Sequence, residues 1–227
     1  MTETRIDCTS SIERILRIIE RLRSDTGCPW DRKQTPQTVQ TYLIEESHEA
    51  AAAIRAGKVG EAAEELGDVL FMALFLIFLY EEHGDFSLDA VCRRISEKMI
   101  RRHPHVFGEL SVNSAEEVKD NWEKIKADEK LATGKVSEPV PESLPALIRA
   151  HRILSRMSHG HDGDWNDLTE EGHKFAKLSE ELIGGLETAG FDYPDALGGL
   201  LVSLVNIARL KGYRAEDVLH RFLRKIE

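Results

Sequence analysis

The chain has 227 residues, 41% hydrophobic and 31% charged, the balance of an ordinary globular protein of one large or two small domains. Its 40 acidic side chains against 30 basic ones leave a formal net charge of −10, which excludes general affinity for nucleic-acid polymers and anionic membranes but admits a nucleotide where a divalent cation inverts the local field. Cys8, Cys28 and Cys92 lie far apart in no CxxC or His-linked pattern, which excludes a disulfide framework and a zinc site and fits a reducing cytoplasm.

The first residues show no basic start followed by an apolar core, so no signal peptide is expected. Ser10 or Ser11 is a candidate cap for a first helix whose apolar residues Ile12, Ile15, Leu16, Ile19 and Leu22 recur at helical spacing. A turn-rich loop, Asp25 to Asp31, follows. Thr35 or Thr38, with Pro36 near the first turn, starts a second helix that runs to about Ala56 and is closed by Gly57. A third is expected from about Val59 to His83, closed by Gly84. It contains the most hydrophobic stretch of the chain, Val69 to Tyr80, which falls short of the roughly 20 residues a membrane span needs and reads as a core helix.

A fourth helix, Leu88 to Arg102, follows a Ser87 cap and gathers basic residues in its last turns, as the helix dipole favours. Ser114 with Glu117 suggests a capping box for a fifth, reaching about Leu131. Residues 132–143, with Gly and two Pro, read as a linker. Helices are then expected near 144–158, 169–188, 194–211 and 215–226, with the Gly/His/Asp-rich stretch after Ser158 as a loop. No segment alternates with period two for long, so the fold class is all-α: a first helical domain over 1–131, a linker over 132–143 and a second helical domain over 144–227.

Within this pattern lies an internal repeat. Glu65-Leu66-Gly67-Asp68-Val69-Leu70-Phe71 aligns with Ala196-Leu197-Gly198-Gly199-Leu200-Leu201-Val202, and Glu45-Glu46 echoes Glu180-Glu181. The second copy keeps the apolar skeleton and loses acids: Ala196 stands for Glu65, Gly199 for Asp68 and Gly184 for Glu49. It reads as a degenerate copy, with the chemistry left in the first.

That chemistry centres on two acidic clusters. Residues three and four apart share a helix face, so Glu46 and Glu49 project together with Glu45 at their edge, and Glu65 and Asp68 project together on the next helix. The connection near Gly57 is short, which makes the two helices antiparallel neighbours and brings four carboxylates to one groove. For a single surface Glu a solvated face is the default reading. A pair of clusters beside so apolar a helix instead suggests a shared cation, and hard oxygen ligands in that number suit Mg²⁺ or Mn²⁺. A di-iron carboxylate bundle competes through Glu45-x-x-His48, but it requires ExxH on each of two helices and the second cluster has no His.

Downstream, Lys98, Arg101 and Arg102, then Lys124 and Lys126, either compensate helix dipoles or hold phosphate oxygens. Trp30 and Trp122 read by default as core or loop-anchoring aromatics, with nucleobase stacking as the sharper alternative.

Gly27-Cys28-Pro29-Trp30-Asp31 with Gln34-Thr35, then YLIEESHE, EELGD, KMIRRHPHVFGE and NWEKIK, together resemble the MazG family of nucleoside triphosphate pyrophosphohydrolases. The resemblance covers residues 10 to 130 closely, and the tail carrying FDYPDALGGLLVSLVNIAR is weakly similar to the family's second domain. It implies two tandem units in an all-α fold and Mg²⁺-dependent hydrolysis of NTPs to NMP and pyrophosphate. It also implies metal ligands at Glu46, Glu49, Glu65 and Asp68 and catalytic assistance from Glu45 and Glu49. Substrate contacts would come from Lys98, Arg101, Arg102, Trp122, Lys126 and Trp30. Related proteins assemble four-helix units from two subunits, so a homodimer is expected, with clearance of unwanted nucleotides as the role. A non-catalytic nucleotide sensor is the competing class: it binds NTP tightly and releases no pyrophosphate.

Overall fold

The computed structural model describes residues 8–133, 139–158, 165–186 and 192–226. The extreme N-terminus, residues 134–138 of the expected linker and most of the loop after Ser158 lie outside the described residues. Among those described the secondary structure is helical, with ten α-helices and one short 3₁₀ turn and no strand. The all-α expectation holds. The chain divides into two compact units, Met1–Glu129 and Lys130–Glu227.

In the first unit, α1 spans Cys8–Arg23, so Ser10 and Ser11 lie within the helix and neither is its cap. α2, Pro36–Ala56, starts at a capping box in which Thr35 and Thr38 accept each other's backbone N–H, and Pro36 fills the first turn where no donor is needed. Gly57 ends it in the left-handed region at φ 70°, a conformation glycine adopts without Cβ strain. α3, Val59–Glu82, begins two residues later, and α2 and α3 form the most intimate helix pair of the unit.

The core is built on Ile19, Val39, Leu74, Phe75 and Leu79, with Ile12, Ile15, Leu16, Phe71, Met72 and Leu88 packed around it. It thus draws on α1, α2, α3 and the start of α4, Leu88–Arg102, which Ser87 caps by accepting from Ala90 N–H. A four-residue helix, α5, Pro104–Phe107, follows at once; the expectation had no helix there. α6 covers Ala115–Thr133, with Ser114 Oγ accepting from Glu117 N–H at 3.1 Å.

The loop between α1 and α2 is tied down at two points. Gly27 N–H donates to Ser24 O and Cys28 N–H to Leu22 O, each at 2.7 Å. This folds the chain so tightly over the end of α1 that a Cβ on Gly27 would sit 2.2 Å from Leu22 O. Arg23 does the rest. Its Nη2 meets Glu82 Oε2 at 2.7 Å, its Nη1 donates to Asp31 O at 2.6 Å, and its guanidinium lies over the Phe75 ring.

The second unit holds α7 (Ala146–Met157), α8 (Leu168–Gly185), α9 (Tyr193–Leu210) and α10 (Ala215–Leu223). Asp167 caps α8 by accepting from Thr169 and Glu170 N–H, one residue earlier than a Thr169 start, and α10 ends before the expected Ile226. α8 and α9 form its principal pair, with α7 and α10 packed on α9.

One expectation about this unit fails: its apolar skeleton is not retained throughout. The register that sets Glu65 against Ala196 places Met72 against Ser203 and Phe75 against Asn206. Both polar residues are fully buried, and they face Glu171, which is only 3% exposed. Ser203 Oγ donates to Glu171 Oε1 at 2.5 Å, Asn206 Nδ2 donates to Oε2 at 2.7 Å, and Arg209 Nε donates to Asn206 Oδ1 at 2.9 Å. Arg209 also binds the Trp165 carbonyl. Burial depresses the pKa of Arg209, and the nearby Glu171 carboxylate counters part of that effect. The unit has kept an ordered pair of central helices by making part of its core a saturated polar network.

Candidate active site

The α2–α3 pair gives the first unit its acidic cluster. Glu46 and Glu49 lie one turn apart on α2, and Glu65 faces them from α3. One carboxylate oxygen from each comes within 4.8 Å of the other two. Glu46 and Glu65 are half-buried and Glu49 is exposed. Asp68, the next turn along α3, is exposed and stands outside that close set.

Electrostatics joins it to the group all the same. The Glu46 carboxyl is pushed above its ordinary pKa by partial burial first, then by the charges of Asp68, Glu49 and Glu45. The Glu65 carboxyl is pushed up likewise, by burial and then by Glu49, Glu46, Asp68 and Glu64. Every neighbouring charge acting on these two groups is another carboxylate's. Side chains held in this way are a poor arrangement for the empty protein, because like charges at short range oppose ionisation. They suit a hard divalent cation, which takes several carboxylate oxygens at once and cancels the repulsion. The donor set is all oxygen, and His48 is exposed and outside it, so among the described residues the di-iron alternative finds no nitrogen ligand in this cluster.

The expected substrate-binding residues other than Trp30, which lies in the loop between α1 and α2, are on α4 and α6. Arg101 Nε donates to Glu129 Oε1 at 2.6 Å, and Arg102 Nη2 donates to Glu129 Oε2 at 2.6 Å. Arg102 also lies 5.8 Å from the centroid of the Trp122 ring, and Lys126 Nζ is 4.9 Å from it, both within the range of cation–π attraction. Lys126 pairs with Glu123 at 2.8 Å. Lys98 is half-buried one turn before Arg101 and Arg102.

Two default expectations need correcting. Trp122 is 36% exposed and Trp30 63% exposed, so the core half of their default reading fails while Trp30 does sit in the loop between α1 and α2, and the face of Trp122 serves as a platform for cations. Nor do Arg101 and Arg102 merely compensate the end of a helix: they converge on Glu129, a residue that spacing along the sequence gave no reason to single out. The two guanidiniums hold the Glu129 carboxyl at a pKa of about 2, through the Arg102 hydrogen bond above all.

A family described as the MazG nucleotide pyrophosphohydrolase domain matches residues 34–107, a stretch that holds both acidic clusters and the arginines of α4. The chain is 36% identical over 224 residues to a protein of Escherichia coli (strain K12) named nucleoside triphosphate pyrophosphohydrolase, covering 96% of this chain and 85% of that one. It is 39% identical over 216 residues to the nucleoside triphosphate pyrophosphohydrolase/pyrophosphatase MazG of Thermotoga maritima, covering 94% of this chain and 81% of the other. Among solved structures, the crystal structure of a mazG-related protein from Thermotoga maritima aligns at 33% identity with a TM-score of 0.45, over 51% of this chain and 98% of that chain.

Proposed function

The chain belongs to the MazG nucleotide pyrophosphohydrolase family, and from that premise we propose that its first unit is a Mg²⁺-dependent nucleoside triphosphate pyrophosphohydrolase that converts NTP and water to NMP and pyrophosphate. The observation that carries this reading is the convergence of Glu46, Glu49 and Glu65 in surroundings whose charges are all negative.

Glu46, Glu49, Glu65 and Asp68 are the residues that would hold Mg²⁺, with Mn²⁺ as a substitute. Bound there, the cation would supply positive charge to the triphosphate oxygens and Lewis acidity at the reacting phosphorus. The chain's own groups do the remainder. Glu49 is the exposed member of the cluster, and Glu45 stands at its edge; either accepts a proton from the attacking water. As the water oxygen bonds to the α-phosphorus, the bridging bond to the β-phosphate breaks in line and pyrophosphate carries the electron pair away. Lys98, Arg101, Arg102 and Lys126 offset charge on the phosphoryl oxygens, and Trp122 or Trp30 offers a face to the base.

The physiological role in this reading is clearance of unwanted nucleotides in the cytoplasm. Among the described residues no helix is long and apolar enough to cross a membrane. The second unit would be a degenerate copy that serves assembly, and the active species a homodimer. Its support is a shared pattern: Leu66 and Leu70 on α3, and Leu197 and Leu201 in the same register on α9, are exposed apolar residues one turn apart.

The deciding experiment is a pyrophosphate-release screen over standard and modified NTPs and dNTPs, with and without Mg²⁺, with the nucleotide product identified. Release of pyrophosphate with NMP, dependent on the cation, is the expected result. Release of inorganic phosphate with NDP, or tight binding with no turnover, would overturn it.

A further inference from the structure

Among the described residues, Glu129 is the acid drawn into contact with two of the arginines assigned to the substrate, and its geometry says more than that it pairs with them. Arg101 and Arg102 are consecutive residues on α4, so their side chains leave the helix about 100° apart. Left alone, two adjacent guanidiniums diverge and repel. Here both are turned onto one carboxylate, Arg101 through Nε to Oε1 and Arg102 through Nη2 to Oε2. A second contact runs from Arg102 Nε to Oε2 at 3.2 Å.

The same contact fixes Arg102 over Trp122, one face of a cation–π arrangement that includes Lys126. Glu129 and Arg102 are both half-buried, whereas Arg101 is exposed. The carboxylate engages only part of what the arginines offer. A guanidinium has five N–H donors; the contacts to Glu129 use Nε of Arg101 and Nε with Nη2 of Arg102. Nη1 of both side chains, and Nη2 of Arg101, take no part in them.

We propose that Glu129 is a positioning residue for the triphosphate: it gathers Arg101 and Arg102 into a single fork over Trp122, with their outer N–H donors presented to phosphate oxygens. This rests on the function proposed above. It makes α6 the part of the unit that sets phosphate affinity from outside the acidic cluster. An alternative role, in which the carboxylate occupies the place of the phosphate and must be expelled, predicts the opposite response to its neutralisation.

The test is steady-state pyrophosphate release by the full chain carrying Glu129→Gln, using the standard NTP that the wild type turns over best, together with calorimetric binding of inorganic tripolyphosphate. Loss of one oriented charge-assisted contact is expected to raise KM and the tripolyphosphate Kd about tenfold, with kcat within about twofold of wild type. A purely structural role would lower the active fraction and leave KM unchanged. Unchanged KM and Kd in a folded variant would overturn the proposal, and tighter binding would show that Glu129 competes with phosphate. Should Glu129→Gln fail to fold, Glu129→Asp decides alone: its carboxylate is withdrawn by one methylene, so a several-fold rise in KM is expected and none overturns the idea. A wild type that releases no pyrophosphate from any NTP refutes the enzyme assignment instead, which keeps the two failures apart.

Discussion

Glu46 on α2 and Glu65 on α3 face each other across the helix pair with carboxylate oxygens inside 4.8 Å, both carboxyls sit above their ordinary pKa, and the Glu46 charge contributes to the rise at Glu65. Two acids so placed oppose the packing of the helices that carry them. Glu65→Gln is therefore expected to raise the melting temperature of the cation-free protein at neutral pH, while reducing pyrophosphate release by roughly 100-fold, the scale of a damaged metal site. The wild type should gain stability on addition of Mg²⁺ and the variant should gain much less. Thermal melts with and without Mg²⁺, set beside the activity assay, check all three. A variant as active as wild type would remove Glu65 from the site.

Glu129 gives a pH dependence of known sign. Its folded-state pKa is about 2 against an ordinary 4.5, so the ionised form is the one that native contacts favour. The resulting stability is complete above pH 4.5 and is lost as pH falls towards 2. After allowance for solvent screening of a half-exposed network, Glu129→Gln should destabilise the protein by about 1 to 2 kcal/mol at pH 7. The gap between wild type and variant should narrow at pH 3. Urea midpoints at the two pH values measure it.

Gly27→Ala is expected to cost about 2 kcal/mol or more. The added methyl would meet Leu22 O at 2.2 Å and Arg21 O at 2.4 Å, and both are backbone atoms that cannot swing aside. A shift in the urea midpoint smaller than that of an exposed Gly→Ala change would contradict the clash. Gly60, with nothing within 4 Å of a built Cβ, is the control.

Glu171→Ala should destabilise the second unit by about 3 kcal/mol, because Ser203 and Asn206 would be left as buried donors without their acceptor. Replacing the network as a whole, with Glu171→Met, Ser203→Ala and Asn206→Leu together, should recover much of that loss. Denaturation of the single and triple variants separates a saturated polar network from a merely tolerated one.

If the chain is a homodimer through its exposed apolar helix faces, Leu70→Lys should shift it towards monomer, with the helical content retained. Light scattering after size exclusion reads the mass directly. A wild type that is monomeric at micromolar concentration would refute the assembly.

The helices were largely legible from local signals. Thr35 and Pro36 marked the start of α2, Gly57 its end and Ser87 the start of α4, because capping and backbone conformation are written in adjacent residues. Where a stronger neighbour existed the reading slipped. Asp167 caps α8 and starts it at Leu168, one residue before the expected 169, and Pro104 begins a short turn of helix where only a helix end was expected. The approach of Glu46, Glu49 and Glu65 was legible because helical spacing and a short connection fix which faces meet.

The Glu129 fork was not, since 27 residues separate it from Arg102 and no periodicity relates a side chain on α6 to one on α4. Glu171 was missed for a different reason. Comparison with the first copy directed attention to acids at matching positions, and Glu171 is a buried acid at a position of its own, answered by Ser203 and Asn206 where the first copy has Met72 and Phe75.

The fold over Gly27 bears on how such chains are recognised. The pentapeptide Gly27 to Asp31 is among the most distinctive words in this sequence, yet its glycine contributes the lack of a side chain rather than reactivity: no larger residue lets the chain leave α1 at that angle. Asp31 gives Arg23 a backbone carbonyl, and Arg23 in turn ties the loop to the far end of α3. A fingerprint of this kind records how a helix is terminated. None of its contacts uses an acid of the cluster, so the word speaks for the shape of the chain and the carboxylates for its chemistry.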